Sequence, residues 1–530
     1  MRTNKLKKTL NKKYGTRPDL HYFDGDMKGI RAYFDYRYDN KLDEFLIDDT
    51  TWKDLSGDEI YKRINQGTST SGEQYLYYLL RSPTVKRREY EKRAKLIELM
   101  ENNPDLRLDL QVIFTKLSKR RSANTSEMFS PDSHSPVKLV FYILLVLTFI
   151  GSAVSLAFTF KLAWLFVIMM VGLPIFRQFA VYHIQSDIDT VNYSAAMVYA
   201  ARKIKNLNSS ELSPLLSTFY EASERLKSIS RIGAVPTNNT VDDIAAILNG
   251  IFLADIIAYE FLKTRLGKHQ KDIFHIHEYL GLIDSAIAVA SYRKSLLTYS
   301  IPKIDFIISD KVRFNALNLV HPLVENAVPN DLNTTESILL TGSNASGKST
   351  FLRTVAVNAI MAQGICTALC GEYSAPAFRI YTSMAISDNL LAGESYFIAE
   401  IKSLKRIMIT ETSEQPLLCI IDEVLRGTNT VERIAASSEL LKELKAKNAL
   451  CLAATHDIEL CALLSSYYRL LHFSETVTDN GEVLFDYMIK DGAATTRNAL
   501  KLLNSIGFDK EMVNRAHEKA NRYIADGKWA

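Results

Sequence analysis

Residues 342–350 have the amino-acid types and the spacing that phosphate binding requires. The pattern G-x-x-x-x-G-K-[ST] is fulfilled by Gly342, Gly347, Lys348 and Ser349. An aliphatic run precedes the pattern and a helix-like run, residues 351–363, follows it, so the sequence predicts a strand, a loop and a helix. Glycines allow successive backbone N–H groups to surround an anion, and the helix N-terminus adds its positive dipole end. Lys348 would reach the β- and γ-phosphates of a nucleotide, and the Ser349 hydroxyl would bind Mg²⁺.

Two apolar stretches farther along the chain end in residues that could activate water. Residues 417–421 lead into Asp422 and Glu423. Residues 450–454 lead, one residue later, into His456, which could sense the γ-phosphate. Asp422 would join the Mg²⁺ shell, and Glu423 would orient or deprotonate the attacking water. Each feature alone could be structural, as could a glycine-rich turn, but their order and spacing favour a nucleotide site.

These stretches, with a small-residue turn between them, resemble the MutS ATPases of the ABC superfamily. The phosphate loop of that family reads T-G-x-N-x-x-G-K-S-T, which matches residues 341–350 including Asn344. Its acidic strand continues as D-E-x-x-R-G-T-x-T, which matches residues 422–430, and its A-T-H matches residues 454–456. Its signature S-G-x-S-[TS]-F-x-x-E departs here at Ala392 and Tyr396 but is matched by Gly393, Ser395, Phe397 and Glu400.

The resemblance implies an ATPase that binds ATP and Mg²⁺. The nucleotide contacts that it implies are Gly342, Ser343, Asn344, Ala345, Ser346, Gly347, Lys348, Ser349, Thr350 and Ser395. The catalytic residues that it implies are Glu423, Lys348, His456 and Asn344, and the metal ligands are Ser349 and Asp422. In ABC ATPases the signature segment contacts the γ-phosphate bound to the other subunit. The resemblance therefore implies a homodimer in which each site is shared by two chains.

The resemblance leaves the contacts with the adenine base open. In the family, the residues just before the position of Asn330 usually pack on adenine. Here these residues are Ala327 and Val328, neither of which carries a ring. A stacking ring is therefore missing from this position.

Composition and charge are those of a folded protein with several domains. The 530 residues have room for about two to four domains, and a net charge of +4 does not by itself indicate nucleic-acid binding. The five cysteines form no metal or disulfide pattern, which favours a reduced cytosolic setting. The basic start of the chain is not followed by an apolar run, so no secretory signal is expected.

A long apolar stretch interrupts the first half of the chain. Residues 139–160 carry no charge, Lys161 follows, and residues 162–176 are again uncharged until Arg177. An uncharged run of about 18 or more residues is a candidate membrane span. The first run exceeds this length, and the second is slightly short unless Lys161 and Trp164 lie at the interface. A buried helical hairpin is the alternative, which the all-round apolarity disfavours.

Two crossings fit the flanking sequence better than one. A single crossing would separate the helical stretches on either side, whereas two crossings with a tight turn within residues 156–161 keep them together. Basic residues flank the hairpin: Lys116, Lys119, Arg120, Arg121, Lys138, Arg177 and Arg202. By the positive-inside rule these residues place both ends in the cytoplasm. We therefore expect a two-span membrane protein that contacts membrane lipid and whose ATPase and core domains are cytoplasmic.

The predicted fold is multidomain, with an α-helical core domain, an inserted two-helix transmembrane hairpin and an α/β P-loop ATPase domain of the ABC type. The predicted segments are an N-terminal segment (1–45), the first part of a MutS-like helical core (46–137), the transmembrane hairpin (138–177), the second part of the core (178–300), the ATPase domain (301–490) and a C-terminal helical dimerisation tail (491–530). The core assignment depends on residues 69–83, which resemble the opening of the MutS core domain. In the first segment, residues 33–36 suggest a strand or a packed loop.

The partner on which the ATPase acts stays open at the level of sequence. MutS repair proteins read mismatches with an N-terminal domain that carries a Phe-x-Glu wedge, and no such domain is expected in the residues before Asp48. One hypothesis is a membrane-anchored ATPase that binds DNA without mismatch specificity. The alternative is a mechanochemical membrane ATPase that acts on protein or membrane partners without nucleic acid. A transporter subunit is a weaker third hypothesis, because no pore-lining charges occur in the two spans.

Overall fold

A computed structural model of the chain divides into two compact units. The first comprises Met1–Glu44, Ile64–Leu79 and Glu91–Ser295, and the second comprises Phe45–Arg63, Leu80–Tyr90 and Leu296–Ala530. We call them the helical unit and the α/β unit. The residues that the structure describes are 2–23, 25–83, 86–120, 136–227, 229, 251–307, 312–343, 346–384, 396–412, 415–425, 428–478, 483–494, 503 and 507–526.

Helices dominate the described residues. In chain order they are α1 Arg2–Lys13, α2 Asp26–Asp39, α3 Asp49–Asp54, α4 Gly57–Ile64, α5 Thr70–Arg81, α6 Arg87–Asn102, α7 Pro104–Leu117, α8 Pro136–Phe158, α9 Ala163–Lys205, the 3₁₀ turn Ser213–Leu215, α10 Ser217–Arg225, α11 Ala254–Gly267, α12 Gln270–Ser295, α13 Lys348–Ile365, α14 Tyr396–Met408, α15 Thr430–Ala446, α16 Ile458–Leu464 and α17 Lys510–Asp526. The mixture of a helical part with an α/β part is the predicted coarse fold class. The finer domain boundaries stay predictions; residues 45–63 and 80–90, within the predicted first part of the core, belong to the α/β unit.

The strand or packed loop suggested for residues 33–36 is wrong, because these residues lie inside helix α2. Ile30, Tyr33 and Phe34 are its buried residues, and their spacing of three and four is that of one helix face. The run of aromatic residues suggested a strand because aromatic side chains also favour pleated sheets.

A buried polar network joins α5 to α12 in the helical unit. The Asp284 carboxylate accepts hydrogen bonds from the Ser69 backbone N–H at 2.9 Å and from the Ser69 hydroxyl at 2.6 Å. Asp284 thus occupies the N-terminal end of α5, where backbone N–H groups need acceptors. A Cβ atom on Gly72 would lie 2.1 Å from Asp284 Oδ2, so this approach of the two helices requires glycine. The glycine in the stretch that resembles the MutS core therefore has a packing role.

Helices α8 and α9 form a hairpin that exposes apolar side chains. Both are long and apolar enough to cross a membrane, with mean hydropathy 2.4 and 1.8 in their most apolar windows, and only 11% and 17% of those windows are buried. Helix α12 also reaches the length and hydropathy of a span, but 78% of its window is buried inside the helical unit. The exposure of the hairpin residues distinguishes α8 and α9 from this core helix. Helix α9 continues without a break from the hairpin into the core, where Ile188–Ile204 contribute many of its buried residues.

The α/β unit contains two larger sheets and a hairpin. Its strands are β1 Lys303–Asp305, β2 Phe314–Leu319, β3 Asn330–Thr334, β4 Ile338–Thr341, β5 Glu372–Pro376, β6 Arg379–Ser383, β7 Leu417–Asp422, β8 Ala449–Ala454, β9 Arg469–His472, β10 Glu475–Val477, β11 Val483–Phe485 and β12 Lys490–Asp491. The six-stranded sheet has the order β12-β9-β4-β8-β7-β6, and the four-stranded sheet has the order β1-β5-β2-β3. The strands from β9 to β6 are parallel, and only β12 is antiparallel to its neighbour.

The parallel arrangement determines which chain segments meet. The carboxyl ends of β4, β7 and β8 lie at one edge of the six-stranded sheet, because the register pairs Leu340 with Ala454 and Ala454 with Asp422. Ligands of open α/β sheets bind outside this edge. The fold therefore brings the predicted phosphate loop, acidic pair and histidine to the same place.

Candidate nucleotide-binding site

The phosphate loop connects β4 to α13 and depends on two glycines. Gly342 has φ +138° and Gly347 has φ +104°, both in the region that side chains other than glycine rarely adopt. A Cβ atom at Gly342 would lie 2.7 Å from the Phe473 carbonyl oxygen, so no larger residue fits there. Asn344 and Ala345, two predicted contacts, lie outside the described residues.

Hydrogen bonds hold the described part of the loop in shape. The Lys348 ammonium donates to the carbonyl oxygens of Gly342 and Ser343, both at 2.7 Å. The Ser346 hydroxyl donates to the Ser343 carbonyl at 2.8 Å, and the Ser343 hydroxyl donates to a Glu475 carboxylate oxygen at 3.1 Å. Lys348 is therefore directed into the loop, close to where a phosphate group would be bound.

Glu423 and His456 meet at the edge of the sheet. His456 Nε2 lies 2.8 Å from Glu423 Oε1. The backbone N–H of Glu423 donates to the Ala454 carbonyl oxygen at 3.0 Å, and Glu423 has φ +60°, an uncommon conformation for a residue with a side chain. This turn directs Glu423 across the end of β8 towards the histidine. The two residues that the sequence assigns to water activation and γ-phosphate sensing are thus in contact.

The residue after the histidine is also held. Arg433 in α15 donates to both carboxylate oxygens of Asp457, at 3.1 Å and 2.6 Å, and such a two-point contact fixes the direction of both side chains. Arg433 thereby supports the turn in which His456 lies. Sequence reasoning missed this residue, because a surface arginine on a helix carries no distinctive signal.

The residues assigned to the metal fit Mg²⁺. Mg²⁺ commonly takes one or two oxygen ligands from the protein and completes its shell with water and substrate phosphates. Ser349 in the first turn of α13 and Asp422 at the end of β7 offer such oxygens. Among the residues that the structure describes, no group of three or more His, Cys, Asp or Glu forms a metal-binding cluster. Two oxygen ligands from the chain suit a Mg²⁺ ion that also coordinates the phosphates of a nucleotide.

A cavity of about 480 Å³ opens beside the phosphate loop. Gly347, Ser349 and Thr350 form one wall of this cavity. His321 contributes to another wall, and burial lowers the pKa of its imidazole to about 4. His321 is therefore neutral at pH 7. Its Nδ1 accepts a hydrogen bond from the Leu323 backbone N–H at 3.2 Å. The size and position of the cavity suit the base and sugar of a nucleotide.

Tyr487 supplies an aromatic ring to the same cavity. A Cβ atom at Gly347 would lie 3.2 Å from Tyr487 Cδ1, so the ring approaches the loop closely. Asn330 holds this segment on both sides: its amide donates to the Tyr487 carbonyl at 2.9 Å and accepts from the Ile489 N–H at 2.7 Å. The ring of Phe485 stacks on Tyr487 at 5.8 Å between centroids. Tyr487 thus places a ring in the cavity beside Asn330, although the residues just before Asn330 carry none.

The segment that leads to the signature helix is anchored by α3. The Asp54 carboxylate accepts from the Thr382 hydroxyl at 2.6 Å and from the Met384 N–H at 3.0 Å. Arg406 in α14 forms an ion pair with Asp48 and donates to the Thr382 carbonyl. These contacts connect β6 and α14, the elements that precede and follow the signature in the chain. Ser395 and Gly393, assigned to the signature, lie outside the described residues.

Fold and site together define a P-loop nucleotide-binding domain with an acidic residue and a histidine at the phosphate end. The family model of MutS domain V matches residues 338–523. The chain is 30% identical over 264 residues to the DNA mismatch repair protein MutS of Thermotoga maritima, which covers 48% of this chain and 32% of that protein. It is 35% identical over 201 residues to the DNA mismatch repair protein MutS of Thermus thermophilus, which covers 37% of this chain and 24% of that protein. Residues 338–523 are thus similar to MutS domain V, and the chain spans about a third of the length of these relatives or less.

Proposed function

We propose that this protein hydrolyses ATP in a Mg²⁺-dependent reaction, in a site shared by two copies of the chain, while anchored in a membrane. The observation that carries the ATPase proposal is the contact of Glu423 with His456 at the same sheet edge as the phosphate loop. An acidic residue and a histidine beside a P-loop suit water activation and γ-phosphate sensing. The similarity of residues 338–523 to MutS domain V supports the same reaction.

Each side chain has a distinct part in this reaction. Lys348 turns from the Gly342 and Ser343 carbonyls towards the β- and γ-phosphates, which it neutralises. Ser349 and Asp422 would hold Mg²⁺, which offsets charge on the phosphates. Glu423 orients the attacking water and accepts its proton, and His456, in contact with Glu423, senses the γ-phosphate. Tyr487 packs against the base in the cavity beside Gly347.

Two variants test the ATPase proposal. Lys348→Ala removes the cation at the phosphates and should weaken ATP binding at least tenfold. Glu423→Gln keeps the size of the side chain but cannot accept a proton, so it should bind ATP normally and hydrolyse it at least a hundredfold more slowly, within the range expected for loss of a general base. Binding is measured with a fluorescent ATP analogue and turnover by phosphate release. Unchanged turnover in both variants would remove the assigned site.

The proposal of a homodimer rests on the signature segment. In the ABC arrangement, Ser395 of one chain would complete the site around the γ-phosphate bound to the other. The MutS relatives and the position of α14 directly after the signature support this proposal.

The exposed hairpin supports a membrane anchor. Helix α8 has 23 residues and is therefore about 34 Å long, enough for a hydrocarbon core of about 30 Å. Bulky apolar side chains are exposed along both helices, including Phe141, Leu147, Trp164 and Val171. Such a surface is costly in water and favourable in lipid. We propose a two-span anchor with the rest of the chain in the cytoplasm.

Membrane fractionation tests the anchor. The full-length protein should stay in the pellet after alkaline carbonate washing, and a variant without residues 139–176 should appear in the supernatant. Recovery of the full-length protein in the supernatant would contradict the anchor. A cysteine in place of Lys161 should react with an impermeant thiol reagent only from the non-cytoplasmic side, and reaction from the cytoplasmic side would contradict the topology.

We further propose DNA as the partner, bound without preference for mismatches. This proposal comes from relatives named DNA mismatch repair proteins, of which this chain matches only about a third or less. A mechanochemical membrane ATPase without nucleic acid is the second candidate, and the exposed apolar hairpin favours it. DNA binding by the purified protein, with and without ATP, distinguishes the two.

A further inference from the structure

An arginine in the second hairpin helix is buried against an aspartate from another helix. Arg177 in α9 is 7% exposed and Asp255 in α11 is 2% exposed. Arg177 Nε and Asp255 Oδ2 are 2.9 Å apart, and the second contact, from an Arg177 terminal nitrogen to the same oxygen, is 2.7 Å. From the sequence we expected Arg177 to flank the membrane as a cytoplasmic charge. Its burial and its partner call for a different explanation.

Ring contacts between α8 and α9 locate Arg177 along the hairpin. The ring of Tyr142 in α8 lies 6.1 Å from the ring of Phe176, so Arg177 is level with Tyr142. Lys138 lies one helical turn before Tyr142, about 6 Å farther towards the cytoplasmic end. Beyond Arg177, the side chains of Phe179 and Tyr182 are still exposed along α9. Arg177 is therefore inside the apolar belt of the hairpin.

The chain around Asp255 packs against the same hairpin. Leu253 and Ile256 are buried in one cluster with Phe149, Met169 and Leu173 of α8 and α9. The ring of Phe252 meets the ring of Phe149 edge-on at 6.2 Å. Phe149 follows Lys138 in α8 by about 16 Å along the helix axis. If the hairpin crosses a membrane, the chain at Phe252 reaches about half the depth of the hydrocarbon core.

We propose that residues 251–257 form a third membrane-embedded segment, in contact with lipid acyl chains, whose Asp255 neutralises Arg177 within the membrane. This proposal rests on the proposed membrane anchor. A charge in hydrocarbon is tolerated when it faces the protein interior and is paired, which describes both residues. The 251–257 segment carries no other charged residue, and Phe252 is exposed on it.

The ion pair also explains the apparent shortness of the second span. The uncharged run ends at Phe176, but Arg177 is the only Asp, Glu, Lys or Arg between Lys161 and Asp187. When the charge of Arg177 is paired with that of Asp255, residues 163–184 can lie in the membrane, a length of about 33 Å. This length agrees with that of α8. Asp255 thus completes a span that the sequence alone suggested was too short.

Quenching of tryptophan fluorescence by brominated lipid tests the position of the segment. Full-length protein in which Trp52, Trp164 and Trp529 are replaced by Phe would carry a single new tryptophan and be reconstituted in phosphatidylcholine vesicles with bromine midway along the acyl chains. Phe252→Trp should be quenched at least half as strongly as Ile150→Trp, a control on the exposed face of α8. Tyr199→Trp, exposed on the part of α9 that continues into the core, should not be quenched.

The controls separate the failure of this inference from that of the anchor. If Ile150→Trp is quenched but Phe252→Trp behaves like Tyr199→Trp, the third segment is refuted and the anchor stands. If Ile150→Trp is not quenched either, the membrane anchor itself fails.

Charge exchange tests the ion pair. In the Phe252→Trp background, Asp255→Arg opposes two positive charges and should reduce the quenching at least twofold. Adding Arg177→Asp restores an opposite pair and should return most of the quenching. Undiminished quenching in Asp255→Arg would overturn the role of the pair. So would a lack of recovery in the double variant, provided that the same two exchanges in the Ile150→Trp background leave that tryptophan quenched.

Discussion

Tyr487 is the residue through which the site would recognise the base. Its ring lines the cavity beside Gly347, and its backbone is held by the buried side chain of Asn330. Stacking of a base on an aromatic ring contributes about 1–3 kcal/mol. Tyr487→Ala should therefore weaken ATP binding about tenfold, and Tyr487→Phe should keep wild-type affinity. Titration with a fluorescent ATP analogue measures both.

The neighbouring Met488 offers a matched control. It is exposed, follows Tyr487 directly and does not line the cavity. Met488→Ala should leave ATP affinity unchanged. Equal affinity of Tyr487→Ala and wild type would mean that the ring does not contact the base.

Single residues differ in how well the sequence predicts them. Gly342, Gly347 and Lys348 stand in one short pattern whose chemistry is local, so their positions follow from the sequence alone. Tyr487 belongs to no local pattern and reaches the loop only because the chain returns past β11 to bind Asn330. The contact of Glu423 with His456 was not predicted from the sequence, because it depends on parallel pairing of β7 and β8.

At the scale of elements, α3 connects β6 to α14 through side chains. Arg406 in α14 forms an ion pair with Asp48, and Asp54 binds the end of β6 at Thr382 and Met384. Because Ser395 lies between β6 and α14 in the chain, these contacts should fix the direction from which the signature approaches its site. We expect Arg406→Ala to lower ATP turnover about tenfold while ATP affinity changes less than twofold.

Lys405 provides the control for this prediction, since it is the exposed residue next to Arg406 on the same helix. Lys405→Ala should retain wild-type turnover. Steady-state kinetics with parallel nucleotide binding separate a positioning effect from loss of the site. A loss of affinity in Arg406→Ala as large as the loss of turnover would show that the helix acts on nucleotide binding instead.

Elements with strong local signals are those that the sequence predicts. The strand before Asp422 and the helix after the phosphate loop occur as β7 and α13. The sequence predicts that the hairpin ends at residue 177 and the second part of the core begins at residue 178, but α9 runs through both. Pro174 lies inside α9 without ending it. In long apolar helices, local backbone adjustment and neighbouring polar groups can satisfy the carbonyl that proline leaves without a donor.

For the whole molecule, we predict no selection of mismatched base pairs. Selection requires a wedge that unstacks the duplex and uses the softness of a mispair. The described residues divide into a helical unit and an α/β unit, and we assign such a wedge to neither of them. Any DNA binding should be electrostatic, weaken steeply with salt and be equal for both kinds of duplex.

Fluorescence anisotropy with matched and mismatched duplexes at two salt concentrations measures the affinity for each duplex and its dependence on salt. An affinity for the mismatch about tenfold above that for the matched duplex, roughly 1.4 kcal/mol, would contradict the prediction. Absence of binding to either duplex at low salt would favour the membrane ATPase without nucleic acid.

Arrangement in a dimer is the property that a single sequence predicts least, because it depends on surfaces of two chains. The pattern around Ser395 indicates a partner only through the resemblance to the ABC superfamily. The shared site therefore needs a direct test.

Complementation between two inactive variants tests the shared site most directly. Ser395→Arg blocks the signature and Lys348→Ala removes the phosphate lysine, so each homodimer should be inactive. A heterodimer of the two, isolated through two different tags, contains one site with an intact Lys348 and an intact Ser395. We predict that its ATP turnover returns to about half that of the wild-type dimer, because one of the two sites is complete. Isolated heterodimers as inactive as the parent variants would contradict a site completed by a second copy of the chain.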